Sequence, residues 1–282
     1  MKVVKNRLEL EEKLNEWRQN NEYIALVATM GNLHKGHSSL VEIANKYASK
    51  VIVSIFVNPM QFGKNEDFDK YPRNLDDDIE HLNKTSTDLI FAPSKETIYP
   101  HGLEEATSIS VPIISKQFCG KSRPGHFDGV TSVVARLFIM VQPNISVFGE
   151  KDFQQQLIIR HMSSDLNLPV KIITGKTIRE HDGLAMSSRN QYLNDYERQN
   201  ASFLYQSLMQ AGEKLKKGDK DFKALEKDSI KSLKSAGFSV EYFSIRHLHD
   251  LGVPSSNCKE FVILTAAKLG LTRLIDNAIV QI

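Results

Sequence analysis

Apolar positions along this chain follow two rhythms. Short runs rich in β-branched residues occur at Tyr23 to Ala28, Val51 to Val57, Asp88 to Ala92, Ile145 to Phe148 and Val170 to Thr174. Their length and near-continuous apolar character predict strands of a parallel sheet covered on both faces. Between them, Leu10, Leu14 and Trp17 recur at helical spacing and predict an amphipathic helix over Glu9 to Asn20. Further helices are predicted over Ser38 to Lys50, Asp76 to Thr85, Val130 to Val141 and from Asp152 to about Leu166. Alternating strands and helices with right-handed crossovers give an α/β fold with a doubly wound parallel sheet. The rhythm then changes: Asp195 to Lys217 and Phe222 to Ala236 predict helices, and Val240 to Arg246 and Phe261 to Leu269 predict strands with hairpin-like punctuation. A larger domain over residues 1–183 and a smaller α+β domain over 184–282 are expected, with the loop around Ser187 at their junction.

The first strand leads into Met30-Gly31-Asn32-Leu33-His34-Lys35-Gly36-His37. Strand, glycine-containing turn and helix start in that order aim backbone N–H groups and the positive end of a helix dipole at one spot, so an anion is expected there. Gly36 lets the backbone come close, and His34 and His37, three residues apart, share one face of the first helical turn. Paired imidazoles beside a phosphate donate hydrogen bonds and hold or release a proton near neutral pH. Either histidine alone reads as a surface residue; the pair, with Gly36 between and a strand before, points to a nucleotide site.

The second strand ends at Asn58-Pro59-Met60-Gln61-Phe62. Ligands of open α/β sheets bind beyond the carboxyl ends of strands, so Asn58 and Gln61 are expected to contact a substrate. Gly149-Glu150-Lys151-Asp152 repeats the strand, turn, helix order, and Met186-Ser187-Ser188-Arg189 lies in a polar loop. The Lys151 ammonium, the Arg189 guanidinium fork and the hydroxyls of Ser187 and Ser188 suit the oxygens of a triphosphate. Asp152 is a candidate acceptor for ribose hydroxyls.

Composition narrows the partners. The 282 residues are 41% hydrophobic and 25% charged with a net charge of +2, which is ordinary globular composition and gives no basic surface for nucleic acid or membrane. Small-molecule substrates are expected. Cys119 and Cys258 are far apart and form neither a zinc knuckle nor a disulfide framework, which fits reduced thiols in a cytosol. No apolar run reaches the roughly 18 residues of a membrane span. Asp76-Asp77-Asp78 falls at a helix start, where acidic residues are stabilised by the dipole, so a solvated helix terminus is the first reading. Asp77 and Asp78 stand as the candidates for a magnesium site, whose ligands stay unassigned.

His34-x-Gly36-His37 resembles the signature of the nucleotidylyltransferase superfamily. Longer motifs sharpen this to the pantothenate synthetase, or pantoate–β-alanine ligase, family: Thr29 to His37, Phe56 to Phe62, Tyr71-Pro72-Arg73, Ser122 to Phe127, Phe148 to Gln155, Asp182 to Asn190, and Arg273-Leu274-Ile275-Asp276-Asn277. The resemblance runs along nearly the whole chain. It implies a Rossmann-like nucleotide domain and a cytoplasmic homodimer that uses magnesium-ATP to join pantoate to β-alanine through a pantoyl adenylate. It also implies site roles. His34, His37, Lys151, Ser187, Ser188 and Arg189 would surround the phosphates, with His37 the proton donor. Met30, Gly31, Gly36, Gly149, Glu150, Asp152, Ile178 and Met186 would complete the ATP site, and Gln61 and Gln155 would hold pantoate, Gln61 also meeting β-alanine.

Two positions depart from the family pattern. Ala28 stands where a proline is usual, which restores an N–H and frees a backbone angle just before the turn, so a less rigid turn is expected. Cys119 stands where an acidic residue is expected, so no carboxylate role transfers there. Another adenylyltransferase, with a phosphorylated acceptor, and a nucleotide-binding regulatory module without catalysis are the alternative readings.

Overall fold

The computed structural model describes residues 1–63 and 66–282. The chain divides into two compact units, residues 1–149 with 154–176, and residues 150–153 with 177–282.

The first unit is built on a six-stranded parallel sheet. In chain order its elements are β1 (Lys2–Val4), α1 (Arg7–Gln19), β2 (Ile24–Thr29), α2 (Lys35–Asn45), β3 (Lys50–Ile55), α3 (Leu75–Leu82), β4 (Leu89–Phe91), the short α4 (Lys95–Ile98) and α5 (Cys119–Ser122), α6 (His126–Val141), β5 (Ile145–Gly149), α7 (Phe153–Asp165) and β6 (Lys171–Gly175). The strand order is β1-β4-β3-β2-β5-β6, all neighbours parallel. The chain winds outward from β2 through β3 to β4, then returns to the other side of β2 for β5 and β6. The reversal between β2 and β5 is a topological switch point, which opens a crevice beyond the carboxyl ends of those strands.

Burial follows the two-residue period of the strands. Ala25, Val27, Val51, Val53, Ile145 and Val147 form one core with Val41 and Ala44 of α2 and Leu82 of α3. The alternate set, Ile24, Leu26 and Ile52, is as deeply buried, as are Leu10, Leu14 and Trp17 of α1, so both faces of the sheet are covered. Helix ends are capped by side chains: Asn6 accepts from Glu9 N–H at α1 and Asn74 from Asp77 N–H at α3.

The second unit pairs helices with a three-stranded antiparallel sheet. It contains α8 (Asp195–Asn200), α9 (Phe203–Lys216), α10 (Phe222–Ser235), β7 (Phe238–His247), β8 (Glu260–Leu269) and β9 (Thr272–Gln281), in sheet order β7-β8-β9. Leu204, Leu208, Ala211 and Leu215 of α9 pack with Phe243, Ile245, Phe261, Ile263 and Val280 of the sheet. Among the described residues no helix is long and apolar enough to cross a membrane.

The predicted fold class is what the structure shows, with differences of detail. The helix expected from Ser38 begins at Lys35, so Gly36 and His37 belong to its first turn. The single helix expected over Asp195 to Lys217 is two, interrupted at Ala201 and Ser202. β1 and β9 had not been expected, β1 because three residues among charged neighbours carry little periodicity. The expected boundary at 183/184 falls at 176/177, because Arg179 pairs with Ala185 in a small hairpin and bonds to Asp276 of β9. Glu150 and Lys151 join the same unit, their carbonyls accepting from Asn277.

Leu82 is fully buried and seats α3 against the sheet. Leu82→Ala is expected to cost roughly 2–5 kcal/mol of unfolding free energy, read from urea titration. Leu8→Ala, on the exposed face of α1, should stay within about 0.5 kcal/mol.

Candidate active site

In the first unit the turn after β2 is shaped by one carboxylate. Gly31 and Asn32 both have positive φ, 83° and 52°, and the consecutive N–H groups that follow converge on Asp78 of α3. Leu33 N donates to Oδ1 at 2.7 Å and Asn32 N to Oδ2 at 3.1 Å. A Cβ on Gly31 would lie 2.7 Å from Asp78 Oδ2, so this position needs glycine for space as well as for its backbone angle. Asp76 and Asp77 are not buried, but Asp78 is 3% exposed. The expected solvated acidic terminus is therefore corrected at Asp78, whose burial pushes its carboxyl above the ordinary value against the pull of the two N–H groups.

The anion expected at the backbone of this turn is thus supplied by the protein. The amides of Asn32 and Leu33 are occupied, and those of His34 and Gly36 are taken by imidazoles. His34 N donates to His37 Nδ1 at 3.2 Å and Gly36 N to His34 Nδ1 at 3.1 Å. His34 caps α2, and its ring folds back so that a Cβ on Gly36 would be 2.8 Å from Cε1. That close approach explains the glycine between the histidines. With Nδ1 accepting in both rings, each neutral imidazole carries its hydrogen on Nε2. The ring centroids are 4.2 Å apart, with the planes tilted. A second tie from α3, Ser38 Oγ to His81 Nε2 at 2.7 Å, secures the start of α2.

Gln61 follows the end of β3 and is 8% exposed. Its amide is oriented by a chain of fixed donors. Asn58 Oδ1 accepts from Met60 N and from Tyr99 O–H, the latter at 2.7 Å, which forces Asn58 Nδ2 toward the Gly129 carbonyl and Gln61 Oε1. Burial pushes the Tyr99 phenol up to about 12, so the hydroxyl keeps its hydrogen. Gln61 Nε2 then faces Met30 Sδ at 2.7 Å. Asn58 itself is 1% exposed, with both amide atoms bonded internally. The expectation that it touches substrate is corrected: it orients Gln61. α6 comes within contact of this segment because residue 129 is glycine; a Cβ there would be 2.3 Å from Met60 O.

The Gln61 carbonyl is held as well. Arg123 donates to His126 Nε2, so the His126 hydrogen sits on Nδ1 and points to Gln61 O at 2.8 Å. Arg123 in turn forks onto Glu66 with bonds of 2.5 and 2.6 Å. In the sequence, Ser122 to Phe127 carries the family pattern without a role, since a motif does not reveal which carbonyl its side chains reach.

Gln155 lies among three consecutive glutamines. Gln154 bonds the carbonyls of Ile114 and Gln117 and accepts from Cys119 N, and Gln156 bonds Thr174 Oγ1. Gln155 alone of the three has no side-chain partner among the described residues and is half-buried. Its amide is available to a ligand. Cys119 is buried, fixed through its amide. Ala28 lies inside β2, paired with Ser54, and the turn it was expected to loosen is anchored by Asp78. Gly149 ends β5, opposite Gly175.

In the second unit the other predicted residues fall on two segments. Glu150, Lys151 and Asp152 form one short turn. Ile178 and Met186 are joined by a bond from Met186 N to Ile178 O at 3.0 Å, and Ser187 caps the turn Ser188–Tyr192 by accepting from Arg189 N. Among the described residues no group of three or more His, Cys, Asp or Glu side chains could hold a metal. Both oxygens of Asp78 serve the turn, and Asp77 accepts from Asn74. These residues do not fit a protein-held magnesium cage.

Residues 2–279 match the model of the pantoate-beta-alanine ligase family. The chain belongs to this family. Pantothenate synthetase of Methylococcus capsulatus is 47% identical over 282 residues, covering 100% of this chain and 99% of the relative. Among solved members of the family, the pantothenate synthetase of Thermus thermophilus superposes with a TM-score of 0.92 at 40% identity, covering 99% of each chain. A pantoate-beta-alanine ligase from Francisella tularensis, solved in complex with beta-gamma ATP and beta-alanine, gives a TM-score of 0.81 at 33% identity over 99% of this chain and 97% of the other.

The Glu66–Arg123 pair gives a pH-dependent test. Burial opposes ionisation of Glu66, but the Arg123 fork outweighs it and holds the carboxyl below its ordinary 4.5. The folded form therefore binds fewer protons than the unfolded one between those values, so the stabilisation is full above pH 4.5 and fades as pH falls through the folded value. Glu66→Gln should lose roughly 1–3 kcal/mol at pH 7, and the gap in melting temperature from wild type should close as the buffer is taken below pH 4.5.

Proposed function

We propose that the chain joins pantoate to β-alanine with ATP, in two steps. The pantoate carboxylate attacks the α-phosphorus of ATP, a new P–O bond forms, the bond to the β-phosphate breaks and pyrophosphate leaves. The amine of β-alanine then attacks the acyl carbon of the pantoyl adenylate, the C–O bond to AMP breaks, and the amine gives up a proton. A free carboxylate resists an amine because its leaving group would be an oxide; adenylation replaces that with AMP. Holding carboxylate and α-phosphate together can contribute up to about 7–11 kcal/mol in favourable intramolecular comparisons.

The observation that carries this reading is the paired imidazole cap of α2. Its two rings accept backbone N–H groups at Nδ1 and so carry Nε2 hydrogens at the positive end of a helix dipole, next to the sheet's switch point. In the reaction His34 and His37 donate hydrogen bonds to the phosphates, and His37, once its ring has taken a second proton at Nδ1 in place of the His34 N–H, is the proton donor. Met30, Gly31 and Gly36 shape that turn. Gln61, oriented through Asn58, and Gln155 hold pantoate, and Gln61 also meets β-alanine. Lys151, Ser187, Ser188 and Arg189 neutralise charge on the phosphates, strongest where it builds up on departing pyrophosphate. Gly149, Glu150, Asp152, Ile178 and Met186 position the nucleoside. ATP enters as its magnesium complex, the ion being part of the substrate. The family resemblance further supports a cytoplasmic homodimer.

Purified protein should release AMP and pyrophosphate with pantoate, β-alanine and ATP. Omitting β-alanine should leave one equivalent of pyrophosphate per site, and omitting pantoate should leave none; pyrophosphate release that needs a phosphorylated acceptor instead would replace this reading with another adenylyltransferase. His37→Ala and Lys151→Ala should each lower the single-turnover rate of pyrophosphate formation by roughly 100-fold or more, the scale of a lost proton donor or charge-stabilising group, with melting temperatures close to wild type. Normal turnover with a large fall in melting temperature would make both residues structural.

A further inference from the structure

The segment Arg273 to Asn277 of β9 has no part in the reaction described above, yet it contains two adjacent buried polar residues. Asp276 is 3% exposed and Asn277 2%. Each reaches one of the nucleotide-binding segments of the second unit. Asp276 accepts both ends of the Arg179 fork, at 2.6 Å on Oδ2 and 3.0 Å on Oδ1, and Asn277 N donates to the same Oδ1 at 2.8 Å. Arg179 also donates to the Gly183 carbonyl at 3.1 Å, and its guanidinium lies 3.7 Å from the centre of the Tyr205 ring. The backbone of Arg179 is paired with Ala185, so this one side chain fixes the hairpin whose ends are Ile178 and Met186.

Asn277 does the same for the other segment. Its Nδ2 donates to the Glu150 carbonyl at 2.8 Å and to the Lys151 carbonyl at 3.0 Å, which fixes the peptide from which the Lys151 side chain departs. Among the described residues the buried Asn277 Oδ1 atom has no hydrogen-bond partner, and the same holds for Thr177 Oγ1, next to Ile178, and Asn190 Oδ1, next to Arg189. Unpaired buried polar atoms are costly, and here they border the segments that would meet a nucleotide.

We propose that Asp276 and Asn277 are positioning residues for ATP: adjacent on one strand, they hold the Glu150–Asp152 turn and the hairpin ends Ile178 and Met186, with the turn that follows Met186, in a common register. The inference rests on the ATP roles assigned above. A strand paired along its length in a sheet, as β9 is with β8, is stiffer than either loop, so two loops pegged to its neighbouring residues keep a fixed spacing. Bidentate Arg179–Asp276 geometry sets orientation as well as distance, which a lysine would not reproduce.

The test uses Asn277→Asp, which replaces the amide donor by an acceptor facing two carbonyls, and Arg179→Lys, which keeps the charge and removes the fork. ATP binding is measured by calorimetry on the full chain, together with KM for ATP, pantoate and β-alanine and the melting temperature. We expect ATP affinity to fall at least tenfold in both variants, while KM for pantoate stays within twofold. Unchanged ATP affinity in folded variants overturns the proposal. A parallel loosening of all three substrates that tracks melting temperature also overturns it, because it would mark a purely structural role. Should Asn277→Asp not fold, Asn277→Ala is judged by the same criteria. Wild-type protein in the same assay separates the two readings: no pantoate-dependent pyrophosphate release refutes the function, whereas normal wild-type turnover with undiminished ATP binding in the variants refutes the positioning role alone.

Discussion

The geometry of the first unit depends on a buried carboxylate in the first turn of a helix. Asp78 sits 3% exposed and accepts two successive backbone N–H groups from the turn after β2. Burying a carboxylate is unfavourable unless its oxygens are satisfied, and here each oxygen has an N–H partner. In return the carboxylate holds Gly31 and Asn32 at positive φ, where a β-branched residue would be strained. The position of His34 follows from that turn, and the position of His37 follows from His34. α3 therefore does more than cover the sheet. Its inward face joins Leu82 in the core to Asp78 at the turn and His81 against Ser38.

How much of this was legible in sequence depends on the scale of the interaction. The parallel sheet was legible because its strands are apolar on both faces and its helices have one apolar side, both of which leave a period in the sequence. β9 was not, since Thr272 to Gln281 interleaves Arg273, Asp276 and Asn277 with apolar residues. Its polar residues have tertiary partners, and these leave no period. At the site, residue types were legible and their partners were not. Asp78 read as a helix-terminal charge, because the dipole argument applies equally to Asp76, Asp77 and Asp78. The structure separates them: one is buried against the turn and two reach solvent. Asn58 read as a ligand contact for a similar reason, since an amide at a strand end serves a substrate or a neighbouring side chain equally well.

The glutamines show how rigidity and availability are divided. Gln154 is bonded at both ends of its amide, and Gln61 is oriented by Asn58, whose own orientation is dictated by the Met60 N–H and the Gly129 carbonyl. Gln155 has no such restraint among the described residues. An amide that is already oriented loses little entropy when it meets a ligand, while one without internal bonds has both its donor and acceptor to offer. In the proposed reaction these two amides, of Gln61 and Gln155, meet the same small acid, one prepared in advance and the other available on arrival.

The occupied amides of the turn also bear on catalysis. A helix start with several unpaired N–H groups would bind a triphosphate and its pyrophosphate product alike, and such uniform binding lowers KM without raising kcat. Here Asp78 and the two imidazoles take those N–H groups, so in the proposed reaction the donors to phosphate are side-chain hydrogens on Nε2. A hydrogen bond from a ring N–H strengthens as charge grows on a leaving oxygen, and a ring in its imidazolium form can pass a proton, which an amide N–H cannot. Replacing fixed amides by two rings thus exchanges ground-state affinity for an interaction that strengthens as the P–O bond breaks. Because each neutral ring is held through Nδ1 by a backbone N–H, the exchange is one of hydrogen-bond donation from Nε2, and passing a proton from His37 would require the ring first to gain one at Nδ1 and release the His34 N–H.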